Sequence, residues 1–167
     1  GVRVADEIRR VNPGCHICFY GLYSSLNADY LLAHCGDSVI GGEFESALVA
    51  LAEALAAGHP GAVEGVHLRD HTARPVLERL PFPAPSRAAL PRLEKYAHLE
   101  KDGQKGLVGY VEASRGCLHL CLHCPIPPVY GGRFFVVPEE IVLADIRQLA
   151  RAGATHITFG DPDFLNG

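Results

Sequence analysis

The stretch "PEEIVLADIRQLARAG" (Pro138–Gly153), followed at once by "THITFG" (Thr155–Gly160), decides the fold. The first run is predicted to be a helix with both ends marked. Pro138 suits the first turn, Glu139 and Glu140 the positive end, Arg147 and Arg151 the negative end, and Gly153 the stop. The second run is short, β-branched and aromatic, which is strand chemistry. Upstream, "LVGYVEA" (Leu107–Ala113) has the same character. Strand, helix and strand make one right-handed βαβ unit of a parallel sheet or a (β/α) barrel. In such folds the loops leaving the carboxyl ends of the strands share one face, and ligands bind there.

The N-terminal part also alternates. "VADEIRRV" reads as a helix, "NPG" as a breaker, and "GCHICFYG" (Gly14–Gly21) as a buried strand. "DSVIGGE" (Asp37–Glu43) is a second strand ending in Gly-Gly. "FESALVALAEALAAG" (Phe44–Gly58) is a helix with positions 44, 48, 51 and 55 on one apolar face and Gly58 as its stop. This order predicts a Rossmann-like or flavodoxin-like sheet. Between the two α/β parts, "RPVLERLPFPAPSRAALPRLEKY" (Arg74–Tyr96) holds five prolines. Proline removes donors and fixes backbone angles, so an extended linker with brief helical turns is expected. The predicted domains are 1–68, a linker 69–106, and 107–167.

Composition narrows the class. The 167 residues are 48% hydrophobic and 20% charged, with a net charge of -4. No Lys/Arg run exceeds a pair, which argues against nucleic acid as a partner. No apolar run approaches the ~20 residues of a membrane span, and no signal peptide is visible. The chain starts at Gly1 and has no methionine, so a stretch of a longer protein, truncated in its last domain, is expected. Six cysteines would suggest disulfides in a small secreted protein. Three are instead crowded into one loop, so a reducing cytoplasm is expected, where clustered thiols bind metal.

That loop is "SRGCLHLCLHCP" (Ser114–Pro125), leaving the carboxyl end of the strand Leu107–Ala113; "DPDF" leaves the end of Thr155–Gly160. Cys117, Cys121, Cys124, Asp161 and Asp163 are therefore expected to be neighbours, with the three sulfurs converging. Thiolates suit zinc, copper(I) or iron–sulfur clusters. Structural zinc wants four closed ligands, often from two separated pairs, whereas here the spacing is C-x3-C-x2-C with no second pair downstream. Three thiolates on a four-iron cluster leave one iron open to substrate. The alternative is a non-enzymatic metal-binding module, with structural zinc and His119 or His123 as fourth ligand. Adjacent ligands His123 and Cys124 would strain that tetrahedral site.

The run "RGCLHLCLHCP" resembles the signature of the radical S-adenosylmethionine (SAM) enzymes. The resemblance implies that Cys117, Cys121 and Cys124 hold a [4Fe–4S] cluster whose open iron chelates SAM. It implies a one-electron cleavage of SAM to methionine and a 5′-deoxyadenosyl radical. It also implies an electron donor of flavodoxin or ferredoxin type. His123 stands where many members have an aromatic residue that packs near the adenine. "DSVIGGEFESALVALAEAL" resembles the end of the cobalamin-binding domain that precedes the barrel in one branch of the superfamily. "LERLPFPAPSRAALP" resembles that branch's linker. "FGDPDFLNG" resembles its second barrel strand, which makes Asp161 and Asp163 candidate SAM contacts. "CPIPPVYGGRF…ITFGDPDFLNG" is similar to a subgroup named for a CUAEP or CCAEP tail. The implied architecture is the C-terminal part of a Rossmann-like, cobalamin-binding-type domain followed by the first βαβ unit of a partial (β/α) barrel. Cobalamin is thereby a candidate cofactor, and radical methyl transfer a candidate reaction. The family's cobalt-ligating histidine lies in a D-x-H-x-x-G motif that is absent here, so neither His16 nor His34 is assigned to cobalt. Substrate and catalytic residues are unassigned.

The remaining candidates have plainer readings. Residues three apart on a strand point to opposite faces, so Cys15 and Cys18 read as small core residues rather than a metal pair. Cys35 reads the same way. Gly41, Gly42 and Glu43 read as a tight turn, since a lone Gly-Gly is a weak binding signal. Asp161 and Asp163 would also serve as helix caps. Arg115 is either a solvated charge or an electrostatic partner near the loop.

Overall fold

A computed structural model describes residues 1–58, 61–78 and 81–166. The chain forms two compact units, Gly1–Arg79 with His119–Gly131, and Leu80–Leu118 with Gly132–Gly167. Among the described residues no helix is long and apolar enough to cross a membrane.

The first unit is a three-stranded sheet with helices. Its elements are α1 (Val2–Val11), β1 (Cys18–Tyr20), α2 (Leu22–Leu26), α3 (Ala28–His34), β2 (Ser38–Ile40), α4 (Glu45–Ala56) and β3 (Val66–His67). A further short helix, α5 (Ile126–Tyr130), belongs to it. β1 and β2 run parallel in the register Cys18↔Ser38, and β3 pairs antiparallel with β2. Only three residues of the apolar run Gly14–Gly21 form strand, because β2 is itself only three residues long.

Strand alternation explains the core of this unit. Val39 points to one face of the sheet, where it packs with Ala28, Leu31 and Leu32. Ile40 points to the other, where it packs with Ala47, Leu51 and Val66. The helix α4 lies on that second face. Its predicted stripe is present, with Leu51 only 2% exposed and Phe44, Leu48 and Leu55 packed around the cluster. Burial of a side chain like Leu51 stabilises by about 2 kcal/mol. Asp37 ties the entry of β2 to the rest: its carboxylate accepts the Ile17 N–H at 2.7 Å and the Arg9 guanidinium at 2.6 Å. Arg9 also donates to the carbonyls of Pro13 and Cys15, which closes the "NPG" turn.

The second unit contains β4 (His98–Lys101), β5 (Gln104–Val111), β6 (Ser114–Gly116), β7 (Phe134–Val136), α6 (Glu139–Arg151) and β8 (His156–Phe159). β5 and β8 are parallel neighbours, Val108↔His156 to Val111↔Phe159, with α6 as the crossover. This is the expected βαβ unit. Gly153 ends α6 as predicted: its N–H reaches Ala150 and the next N–H, of Ala154, reaches Leu149. Pro138 stands one position before the first turn rather than in it, and its carbonyl accepts the N–H groups of Ile141 and Val142.

Two hairpins were not anticipated. β4 pairs antiparallel with β5. The turn between them is "KDGQ", with Asp102 at φ 51° and Gly103 at φ 74°. Positive φ at both central residues is the two-residue turn that matches strand twist. β6 pairs antiparallel with β7, so the strand predicted over Leu107–Ala113 breaks at Glu112 and the chain turns into a separate ribbon. Among the described residues of the proline-rich stretch, a turn closes from Leu90 N–H to the Arg87 carbonyl and a 3-10 turn forms at Leu93–Lys95.

Candidate functional site

The segment around Cys117 is built on the ends of β5 and β8. Gly160 N–H bonds the carbonyl of Val111, and Asp161 follows directly. Its two carboxylate oxygens accept the Ala113 N–H, each at 3.1 Å, and one accepts the Ser114 hydroxyl at 2.5 Å. Ser114 is buried. Asp161 thus pins the point where the chain leaves β5 for β6 and Cys117. The backbone N–H of Cys117 bonds Arg133 at 3.2 Å. Its thiol donates to Asp163 Oδ2 at 3.3 Å. Two of the predicted neighbours, Cys117 and Asp163, are therefore in contact, and Asp161 is bonded to the strand end that carries them.

Around these residues the βαβ unit forms a cavity of about 650 Å³, bordered by Ser114, Val136, Glu139, Phe159, Asp161 and Phe164. The rings of Phe159 and Phe164 lie 4.7 Å apart. The cavity opens at the carboxyl ends of two parallel strands, where α/β folds bind ligands. Arg115 turns away from solvent, with its guanidinium 5.1 Å from the centre of the Phe82 ring and 3.6 Å from the Glu112 carboxylate.

Cys121 and Cys124 belong to the first unit. They form a tight turn in which Cys124 N–H bonds the Cys121 carbonyl at 3.2 Å. Cys121 is exposed; Cys117 and Cys124 are half-buried, and no cysteine is in a disulfide. Among the described residues no three His, Cys, Asp or Glu side chains form a group that would hold a metal ion.

Cys18, Cys35, His16 and His34 are engaged structurally. Cys18 packs against the cluster around Ile40, and Cys35 against the cluster around Val39. Burial pushes the Cys18 thiol up, against a hydrogen bond to Ser38 that lowers it. Burial, and then the charge of Asp6, push Cys35 up. His16 Nε2 meets Ser38 Oγ at 2.9 Å. His34 meets the Tyr30 carbonyl at 2.8 Å and stacks on its ring.

One pair escaped the sequence reading. Glu43 is fully buried and accepts the hydroxyl of Tyr130 at 2.9 Å. The available signal was a glutamate in the middle of an otherwise apolar strand-to-helix junction.

No protein-family model matches the chain, and no curated protein matches it. Solved structures do. One is the radical S-adenosylmethionine methyltransferase TsrM from Kitasatospora setae with tryptophan substrate and a SAM analog (aza-SAM) bound. The identity is 22%, the TM-score 0.68, and the match covers 96% of this chain and 32% of TsrM. A second is the same enzyme with cobalamin and a [4Fe–4S] cluster bound, at 21% identity, TM-score 0.66, and coverage of 97% and 33%. The chain is similar in fold to TsrM. The likeness extends over nearly all of this mixed α/β chain with its small sheets, and the chain spans about a third of the length of those structures.

Proposed function

We propose that this chain is part of a radical SAM enzyme of the cobalamin-binding-domain type. Residues 1–68 would be the C-terminal part of the cobalamin-type domain, 69–106 the linker, and 107–167 the start of the barrel. The observation that carries the reading is the C-x3-C-x2-C loop leaving the end of β5, whose parallel neighbour β8 ends in Asp161 and Asp163. The donor set fits a [4Fe–4S] cluster: three reduced thiols on one loop, all at least partly open to solvent. Cys117, Cys121 and Cys124 would hold it. A cluster bound there supplies the electron that cleaves SAM.

The chain's own residues divide the remaining work. Asp161 holds the end of β5 in place through Ala113 and Ser114. Asp163 lies beside the Cys117 thiol, whereas Asp161 is taken up by Ala113 and Ser114, so Asp163 is the better SAM contact. Leu120 and Leu122 are exposed on either side of Cys121. They offer an apolar approach for a small electron donor of flavodoxin or ferredoxin type. With cobalamin on the first unit, the reaction would be radical methyl transfer.

Anaerobic reconstitution of the full-length protein with iron and sulfide tests this reading. The expected product is brown, holds about four irons per chain, and releases 5′-deoxyadenosine from SAM on reduction. A colourless protein that takes up one zinc instead, and leaves SAM intact, overturns it in favour of a structural metal module.

A further inference from the structure

The Glu43 carboxylate has no exposed surface. An ionisable group so placed is costly unless it is held by partners. Tyr130 is one, donating its hydroxyl to Oε1 at 2.9 Å. The backbone on the Glu43 side is rigid. Its N–H bonds the Val76 carbonyl at 2.8 Å. The preceding Gly42 sits at φ 66°, and a β-carbon there would run into the same carbonyl oxygen. Only glycine fits that position, so Glu43 has one place to be.

The Tyr130 side is rigid for a different reason. Of the five residues between Cys124 and Tyr130, three are prolines: Pro125, Pro127 and Pro128. Each fixes φ near −65°. These residues lead into and form α5, which packs on α2, with Val129 buried. The Gly131 N–H closes the turn on Pro127 at 2.8 Å. A stiff spacer therefore joins Cys124 to Tyr130, and whatever holds the tyrosine also holds the cysteine.

We infer that the Glu43–Tyr130 hydrogen bond anchors the Cys121–Tyr130 segment within the first unit, so that both are positioning residues for Cys124 and, through its turn, for Cys121. Their importance to chemistry rests on the proposed role of these cysteines as metal ligands. The anchoring itself does not, so it is measured on metal-free protein.

The experiment is amide hydrogen exchange of the metal-free full-length protein carrying Tyr130→Phe, Glu43→Ala or Glu43→Gln. Tyr130→Phe and Glu43→Ala should speed exchange over residues 121–131 by roughly tenfold, while Ser38–Ile40 stays as in the parent. Glu43→Gln keeps an acceptor oxygen and should retain most of the protection. Unchanged exchange over 121–131 in Tyr130→Phe overturns the inference. So does an equal rise in Ser38–Ile40, which would mean general loosening, or a glutamine no better than alanine. After cluster loading, Tyr130→Phe should retain iron but shift the electron paramagnetic resonance spectrum of the reduced cluster on adding SAM; an unchanged spectrum overturns the positioning role. A parent protein that binds no iron would defeat the functional proposal alone, because the exchange result still decides the anchor.

Discussion

Arg87 grips Asp145 through two parallel N–H···O bonds, Nε to Oδ1 at 2.6 Å and Nη2 to Oδ2 at 2.7 Å. The aspartate lies on the buried face of α6 at 4% exposure, a position where a lone charge would not survive. The same guanidinium donates to the Tyr110 carbonyl at 2.9 Å. One residue of the proline-rich stretch thus ties α6 and β5 together. Arg87→Ala strands the carboxylate and should cost about 3 kcal/mol in urea unfolding. The double variant Arg87→Met with Asp145→Leu should recover most of the loss, since apolar replacement of a buried pair is often neutral. A double variant as unstable as the single would show that the pair adds more than charge compensation.

Asp37 makes stability depend on acid. Burial works to raise its pKa, but the Ile17 N–H, the Arg9 guanidinium and the charge of His16 together outweigh it and hold the carboxyl below its usual range. A carboxyl depressed in the folded state stabilises above its unfolded pKa. That contribution is lost as pH falls through the folded value. The loss should therefore fall below about pH 4, the ordinary carboxylate range. Asp37→Asn should be less stable than the parent at neutral pH, with the gap narrowing toward pH 2. Parallel stability curves for the two proteins across that window would count against the assignment.

Tyr110 occupies the space beside Gly160 on the neighbouring strand. Its hydroxyl donates to the Gly160 carbonyl at 3.3 Å, and a β-carbon at residue 160 would coincide with the tip of the ring. Gly160→Ala must turn the tyrosine out or spread the strands, at a cost of about 1–3 kcal/mol. Adding Tyr110→Ala should make the glycine substitution nearly harmless. A double-mutant cycle measures that coupling, and simple additivity would refute it.

What the sequence revealed was set by local chemistry. The ends of α6, the apolar stripe of α4 and the parallel pairing of β5 with β8 follow from spacing and caps within short windows. The β4–β5 hairpin is equally local, since Asp102-Gly103 is a two-residue turn signal between the two strands. The pairing of β6 with β7 was not legible. It joins Ser114 to Val136 across the whole cysteine loop. The bond from Tyr130 to Glu43 spans 87 positions, and no periodicity encodes such a contact. The cysteine spacing marked a candidate site, whereas the bonds of Asp161 to Ser114 and of Asp163 to Cys117 join residues more than forty positions apart.

Replacing each cysteine in turn separates ligands from packing. Cys117, Cys121 and Cys124 are at least partly solvent-open thiols on one loop, so alanine at any of them should abolish most of the bound iron. Metal binding needs the thiolate. Cys18 and Cys35 are poor sources of it, because burial pushes both thiols up. They also pack against the cores around Ile40 and Val39. Alanine at Cys18 or Cys35 should lower the melting temperature by a few degrees, as about 1 kcal/mol does in a chain of this size, and leave iron per folded chain unchanged. Cys15, whose thiol rests on the His16 carbonyl, should affect neither. Iron and sulfide are assayed on the reconstituted full-length variants, with circular dichroism to confirm folding. Full iron in Cys124→Ala, or lost iron in a folded Cys18→Ala, would place the metal elsewhere in the chain.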